Sequence, residues 1–522
     1  LNIKLNRDQF IDRAKDTSTT WDMIVIGGGA TGLGTALDAA CRGFRTILLE
    51  RDDFGSGTSS RSTKLAHGGI RYLAQRNFSL VREALRERNL MLRNAPHLVR
   101  KRSFVIPVDG LAHKLFYGSG LKLYDLFGGA KNFGRSRMLS RRSTLEALPT
   151  LDGQGVHGGL EYFDGQFDDA RFALCLAQTA AEHKAIAINH MAVTGLIKEA
   201  GRVTGVEATD RISGDSLRIS GKVVINATGI FIDEVNAMAS EAEPRLAYSR
   251  GSHMVLDRRL LPGKSALVIP STKDGRVLFA IPWHGMVLAG TTDIPVQKPE
   301  SSPVPTADEV DFLLTHLDEY LVEKPTYADV KSIFAGIRPL LADSRHAKTS
   351  SLSRSHAVFT SEEGLVSVAG GKWTTYRQMA EDTIDQASAV AGLEQRRCAT
   401  RDLPLSGADA SAEGVEADDL GFDAKLLTQL EAESPGWKEL IHPNLPYKKS
   451  HIVHAVRSEM ALTLEDVLSR RTRSLLLDAQ ASLECAPVVA VIMATELGRD
   501  QSWVQDQIKT HLLVARNYLM PQ

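Results

Sequence analysis

The sequence predicts an α/β protein that ends in an all-helical C-terminal unit. Three observations carry that expectation. Residues 22–26 are a short apolar run that enters Gly27-Gly28-Gly29-Ala30-Thr31-Gly32 and a helical stretch, and a second apolar run follows at 46–50, so the chain opens as a βαβ unit. Residues from about 245 to 365 are dense in short strand-like runs, and beyond about residue 416 the pattern is helical. At 522 residues, 43% hydrophobic and 24% charged, the chain has the makeup of a folded multidomain protein and not of a disordered one.

Residues 1–21 are polar and mixed in charge. They lack the apolar core of a signal peptide, and Asp8, Asp12 and Asp16 make them too acidic for a transit peptide. The strand at 22–26, the helix from 30 to about 42 and the strand at 46–50 then frame a G-x-G-x-x-G turn. Gly27 permits the sharp bend, Gly29 lets a pyrophosphate approach the backbone, and Gly32 allows close helix–strand packing; the helix N-terminus presents N–H groups to the phosphates. Glu50 lies 18 residues beyond Gly32, where a carboxylate accepts hydrogen bonds from ribose hydroxyls and repels a 2′-phosphate.

The turn and Glu50 together indicate a dinucleotide, and the acid does not choose between NAD and FAD. The next loop, Thr58-Ser59-Ser60-Arg61-Ser62-Thr63-Lys64, is rich in donors that suit a second phosphate and a ribityl chain. Two later segments fit the same cofactor. The run 223–226 ends in Ala227-Thr228-Gly229, and 364–377 reads as strand, Gly370-Gly371 turn and helix with Lys372 at its start. A helix N-terminus beside a lysine stabilises negative charge on a reduced flavin. Three separated segments converging on one cofactor make FAD the expectation.

Further strands are expected at 202–212, 216–227, 252–256, 266–269, 277–281 and 286–289, with a helix at 307–322, a linker at 401–416 and a helix at 459–481. The four cysteines form no C-x-x-C, which fits a reducing compartment. No run approaches 18 apolar residues, so a spanning helix is not expected. Gly263-Lys264-Ser265 lacks the first glycine of a P-loop, since Arg258 stands there, and His451 with His454 reads as an ordinary helix face; no metal is expected.

The net charge of -1 argues against a nucleic-acid partner. It conceals residues 98–142, where ten Lys/Arg face two Asp and leave +8. Phe104, Leu115, Phe116, Tyr117, Leu121, Tyr124 and Phe127 are interleaved there, and 111–127 is expected to form an amphipathic helix lying on an anionic lipid surface.

With these features the chain resembles the FAD-dependent glycerol-3-phosphate dehydrogenases over essentially its whole length. The most specific stretches are 58–73, from Thr58 through His67-Gly68-Gly69-Ile70-Arg71-Tyr72 to Leu73, then 335–340, 369–377 and 465–473. The resemblance implies a D-amino-acid-oxidase-like α/β fold. A Rossmann-like FAD-binding domain and an antiparallel-sheet substrate domain would share residues 1–400, with FAD-binding segments at about 20–90, 150–240 and 355–395 and substrate-binding segments at about 91–149 and 241–354. A helical domain would occupy 401–522. It implies oxidation of sn-glycerol 3-phosphate to dihydroxyacetone phosphate, with hydride passing to FAD and electrons to a membrane quinone. The implied setting is a homodimer attached peripherally to the cytoplasmic, inner face of a bacterial cell membrane, since no EF-hand loop follows residue 401.

The resemblance also implies site residues. FAD would be held by Gly27, Gly29, Ala30, Thr31, Gly32, Glu50 and Arg51. Thr58, Ser59, Ser60, Thr63, Lys64, Leu65, His67, Gly68 and Gly69 would follow from the second loop, with Val193, Ala227, Thr228, Gly229, Gly371, Lys372, Trp373, Thr374 and Thr375 from later segments. The substrate would meet Arg71, Tyr72, His253, Arg338, Arg354 and Lys372. Arginine suits a phosphate dianion because its planar fork bonds two oxygens at once, and Pro339 biases Arg338 to an extended backbone that would hold its guanidinium over the flavin.

As hydride leaves C2 the hydroxyl must lose its proton. His67 is the first candidate base and His253 the second, with Lys372 and Arg338 stabilising the developing negative charge. Two alternatives use nearly the same motifs. One is a glycerol-3-phosphate oxidase that reduces oxygen to hydrogen peroxide, which usually carries an insertion not found here. The other is a non-catalytic membrane flavoprotein.

Overall fold

The strand that enters the glycine turn, Trp21–Ile26, is the centre of the first sheet. It pairs in parallel with Thr46–Leu49 on one side and Ser216–Asn226 on the other. Ile186–Ile188 and Val366–Gly370 extend the parallel order outward, and His356–Thr360 closes one edge antiparallel. Parallel strands covered on both faces must be apolar throughout, and Met23, Ile24 and Val25 are fully buried. Met191–Glu199 and Arg202–Asp210 form an antiparallel ribbon that branches from the outer end of Ser216–Asn226. The computed structural model describes residues 5–69, 78–128, 133–240, 245–342, 355–408 and 424–521.

Among the described residues the second sheet has ten strands. Its longest pair is Leu246–Leu256 against Val330–Leu341, antiparallel, with Ser249 opposite Arg338 and Gly251 opposite Gly336. Val99–Val108 and Gly158–Phe167 form the other long pair. Only 252–256 reads as strand from the sequence, because Ser249 and Arg250 break the apolar pattern. The fold accepts them by pairing Ser249 with Asp293 and Arg250 with Glu309. The helix expected at 307–322 ends at Asp318, after a capping box of Thr306 with Glu309, and Leu321 instead forms a bridge with Leu151.

The C-terminal part folds as Lys449–Ser458, Ala479–Leu497 and Gln501–Arg516 around its own apolar core. That core also takes Val255, Leu288 and Phe334 from the back of the second sheet. Ala479–Leu497 is long and apolar enough to cross a membrane, yet its Cys485, Val489 and Met493 face is buried in this core.

One helix over 459–481 is not formed. Met460 takes φ 53°, a π-helical turn spans Asp466–Arg471, and a short helix covers Ser474–Leu477. The cause is charge. Glu459 bonds Arg171 and His454, Arg470 and Arg471 bond Asp53, and Asp466 bonds His190, all buried. Groups that must find partners across the interface leave the helical register to reach them. The expected linker is also packed where it is described: Leu405 is buried and Ser406 donates to Glu182, while 409–416 lie outside the described residues.

Burial alone would lower His190 and raise Asp466. Their 2.9 Å contact outweighs it, so the imidazole pKa is raised and the carboxyl is held well below its usual range, helped by Arg470 and Arg471. Glu459 is depressed likewise: burial opposes, and Arg171 and His454 prevail. Depressed carboxylates contribute stability above their unfolded pKa of about 4 and lose it as pH falls through the folded values. The raised His190 contributes fully below about 6.5 and loses its share as pH rises through its folded value. The thermal midpoint should therefore drop on acidification and decline again as pH rises beyond about 6.5; H190Q should abolish the second decline and weaken the first, because Asp466 loses a partner that holds its pKa down. R471M, which strips Asp53 of a buried partner, should cost about 3–5 kcal/mol in a denaturant titration.

Candidate active site

The glycine turn forms one wall of a cleft of about 680 Å³ that runs from Glu50 to Lys372. That volume suits a bound small molecule. A Cβ on Gly32 would stand 1.9 Å from the Gly27 carbonyl oxygen, and one on Gly27, at φ 106°, would stand 2.7 Å from the Ala227 oxygen. Helix, turn and neighbouring strand thus touch backbone to backbone. Gly29 caps the helix Ala30–Cys41, and Gly29, Ala30 and Thr31 line the cleft. Glu50 is pinned here. One carboxylate oxygen accepts the Gly28 N–H at 2.6 Å and the other the Asp52 N–H at 2.8 Å. Burial raises its pKa, against the pull of these two bonds.

Thr58, Ser59 and Arg61 line the next stretch of wall. Ser59 ties three segments together: its hydroxyl accepts the Ala30 N–H at 2.9 Å and its carbonyl accepts the Trp373 indole N–H at 2.7 Å. The Thr58 hydroxyl donates to the Ile337 carbonyl on the second sheet. Lys64 corrects the sequence expectation. It is fully buried below the loop, 2.7 Å from Asp169 and 2.8 Å from the Ser60 carbonyl, and its side chain does not reach the cleft. Burial pushes its pKa down to about 8, against the pull of Asp169.

Val193, Ala227, Thr228, Gly229, Gly371, Lys372 and Trp373 also line the cleft, as does Arg51, whose guanidinium lies 4.5 Å from the Phe231 ring. Gly32, Ser60, Thr63, Leu65, His67, Gly68, Gly69, Thr374 and Thr375 do not line it. Among these, the half-buried His67 donates its backbone N–H to the Thr374 hydroxyl at 3.3 Å, and Gly68 donates its backbone N–H to the Tyr124 hydroxyl. Gly370 and Gly371, at φ 75° and 80°, turn the chain so that Lys372 starts the short helical turn Trp373–Thr375.

The expected substrate residues fall on the second sheet. Arg338 is on Val330–Leu341, and Pro339 beside it lines the cleft. The Arg338 guanidinium lies across Gly251, where a Cβ would be 2.2 Å away, and donates to the Thr291 hydroxyl and the Thr292 carbonyl. His253 is 2% exposed, stacked 5.0 Å from Phe334, with Nε2 2.9 Å from the Thr63 hydroxyl and, among the described residues, no partner for Nδ1. Burial, then Arg338 and Lys64, hold it neutral by dropping its pKa well below the usual value. Arg71, Tyr72 and Arg354 lie outside the described residues.

Sequence reasoning missed the contribution of the helical unit. Thr463, Glu465, Arg470, Gln507, Thr510 and His511 complete the cleft at its Glu50 end. The specific stretch 465–473 was the available signal, but nothing local says what it faces. Asp53, His190 and Asp466 cluster as metal ligands could, yet Arg470 and Arg471 already supply positive charge to both carboxylates. His451 accepts the Lys448 N–H and His454 bonds Glu459, as members of a packed helix face.

Two family models match the chain: FAD dependent oxidoreductase over residues 22–377 and the C-terminal domain of alpha-glycerophosphate oxidase over 398–504. The chain is 38% identical to a probable mitochondrial glycerol-3-phosphate dehydrogenase of Caenorhabditis elegans, over 96% of this chain and 73% of that one. The Homo sapiens mitochondrial glycerol-3-phosphate dehydrogenase gives the same figures, 38%, 96% and 73%. Among solved structures, glycerol-3-phosphate dehydrogenase from Bacillus halodurans complexed with FAD superposes with a TM-score of 0.79 at 29% identity, covering 100% of this chain and 99% of that one. The L-alpha-glycerophosphate oxidase of Mycoplasma pneumoniae, at 17% identity and TM-score 0.57 over 73% of this chain and 96% of that one, shares the fold.

The 1.9 Å backbone approach at Gly32 gives a direct test of the cleft. G32A should bind flavin about 5- to 100-fold more weakly and purify with less visible absorbance per protein, since a misfit of about 1–3 kcal/mol is forced into a packed turn.

Proposed function

The chain belongs to the family of FAD-dependent glycerol-3-phosphate dehydrogenases, and from that premise we propose that it oxidises sn-glycerol 3-phosphate to dihydroxyacetone phosphate and passes the electrons to a membrane quinone. FAD is its cofactor. One observation supports the reading most: the glycine-turn cleft ends at Lys372 and Pro339, next to the sheet strands that carry Arg338 and His253. The residues fit FAD, because Gly27, Gly28 and Gly29 carry no side chain to obstruct a pyrophosphate and the pinned Glu50 carboxylate at the cleft would take the ribose hydroxyls. When bound, FAD supplies the ring that accepts hydride from C2.

The chain's own groups do the rest. Arg338, held in a fixed fork by Thr291 and Thr292, presents its charge to the substrate's phosphate and to the oxygen that becomes the ketone. His67 takes the C2 hydroxyl proton on an imidazole nitrogen. His253, neutral and bonded to Thr63, is the second group able to accept it. Lys372 places positive charge at the turn where negative charge develops on the reduced cofactor.

In this reading the exposed part of the basic segment 98–142 reaches lipid and quinone, while its strand Val99–Val108, with Phe104 buried, is packed in the second sheet. The segment includes the helix Leu111–Gly128. In its last turns Leu121 and Tyr124 are buried, Lys122 is exposed and Leu126 is 73% exposed. An exposed leucine near Lys122, within a segment of net charge +8, suits an anionic interface. The protein then works as a homodimer on the inner face of a bacterial cell membrane.

Anaerobic addition of sn-glycerol 3-phosphate should bleach the flavin band, and bleaching by an amino acid instead would overturn the assignment. Under air, quinone or dye reduction should outrun peroxide formation; the reverse ratio would make the protein an oxidase. H67Q should retain FAD yet slow anaerobic flavin reduction at least about tenfold, within the range of a lost general base. Binding to vesicles should need anionic lipid and fall with salt, and equal binding to neutral vesicles at high salt would exclude an electrostatic anchor.

A further inference from the structure

We propose that Arg473, in the helical domain, is a positioning residue for the flavin, which it serves by fixing the Thr58–Lys64 loop through the Ser60 carbonyl. Two buried cations from distant parts of the chain converge on that oxygen. Lys64 Nζ donates to it at 2.8 Å and Arg473 Nη2 at 2.9 Å. A carbonyl has two lone pairs, so both are used and the Ser60 peptide cannot turn. Arg473 is 1% exposed, and it is itself anchored by the Ser469 carbonyl, by Asp169 at 3.1 Å and by Asp168 at 3.5 Å.

The charges balance only across the domain interface. Asp169 accepts Lys64 Nζ, the Ser62 N–H and the Ser62 hydroxyl on one oxygen and Arg473 on the other. Asp168 faces Arg473 and His284. Without Arg473, only Lys64 and the more distant His284 would answer two buried carboxylates, and undercompensated buried charge forces rearrangement. The part that would rearrange carries the cleft wall: Thr58, Ser59 and Arg61 flank Ser60, and Ser59 binds the N-terminus of the helix Ala30–Cys41 and Trp373. The flavin site is therefore incomplete within residues 22–377. This inference rests on seating FAD in the glycine-turn cleft.

The test is FAD affinity in the full-length protein, read with no substrate present, so that its failure leaves the dehydrogenase reading standing and the converse also holds. R473M should raise the Kd for FAD about 10–100-fold, as expected for lost charge-assisted hydrogen bonds, and should alter the visible circular dichroism of the flavin that remains. R473K, which keeps the charge but loses the fork, should fall between, about three- to tenfold weaker than wild type. R457M, which breaks the Arg457 pairs with Glu433 and Glu496 inside the helical domain, should lower stability and leave the FAD Kd unchanged. Wild-type Kd and circular dichroism in R473M would overturn the proposal, as would equal loss of FAD in R457M. If R473M does not fold, R473K decides: a shift of about three- to tenfold supports the proposal, and a wild-type Kd overturns it.

Discussion

Buried charge that can be neutralised only across a domain boundary is the constraint on which the rest of this molecule depends. Asp53, Asp168 and Asp169 belong to the nucleotide-binding part, and Arg470, Arg471 and Arg473 to the helical part. Glu459 and Arg171 form the same kind of pair with the signs exchanged. Such pairs add little net stability, since desolvation offsets attraction, but each charge left alone is costly. Apolar faces can slide past one another, whereas a guanidinium fork matched to one carboxylate cannot. The helical domain is thereby held in one orientation on the first sheet, while its apolar core meets the second sheet at Val255, Leu288 and Phe334.

That orientation organises the site. The first sheet carries the glycine turn, the second carries Arg338 and His253, and neither alone encloses anything. Two hydrogen bonds join them around the cleft, Thr58 to the Ile337 carbonyl and Thr63 to His253, and a third, from the Trp373 indole to the Ser59 carbonyl, ties the same loop to the last segment of the first sheet. All three use the hydroxyl-rich loop. This gives a second reason for its composition, beyond the one the sequence suggests. Its hydroxyls and carbonyls serve the cofactor side and the substrate sheet together, so a change meant for one would move the other.

What the sequence makes legible is what local chemistry determines. The turn at 27–32, the parallel strands on either side and Lys372 after two glycines follow from steric rules that act over a few residues, and all are found. The FAD cofactor and the mixed α/β architecture with its helical end were readable on the same grounds and from family resemblance. What was not legible depends on distant partners. Ser249 and Arg250 hide a long strand because Asp293 and Glu309 lie over forty residues away in sequence. Residues 459–481 suggest a helix because nothing nearby reveals Asp53 or Arg171. Lys64 reads as an FAD contact for the same reason: Asp169 is what claims its side chain. The cleft residues Gln507, Thr510 and His511 carry no local mark at all.

The cleft's dependence on late residues has a consequence for how the protein is made. Domains fold roughly in the order in which they leave the ribosome. When the chain has emerged through the helix Tyr376–Val390, the glycine turn, Glu50 and Lys372 all exist, but the wall formed by Thr463 to His511 does not. Until that wall arrives the nucleotide trough is open along one flank and Ser60 has only one of its two cationic anchors. The helical domain is thus a latch that synthesis itself sets last, and a chain stalled before it can form the early pairings of the fold but not a closed seat for its cofactor.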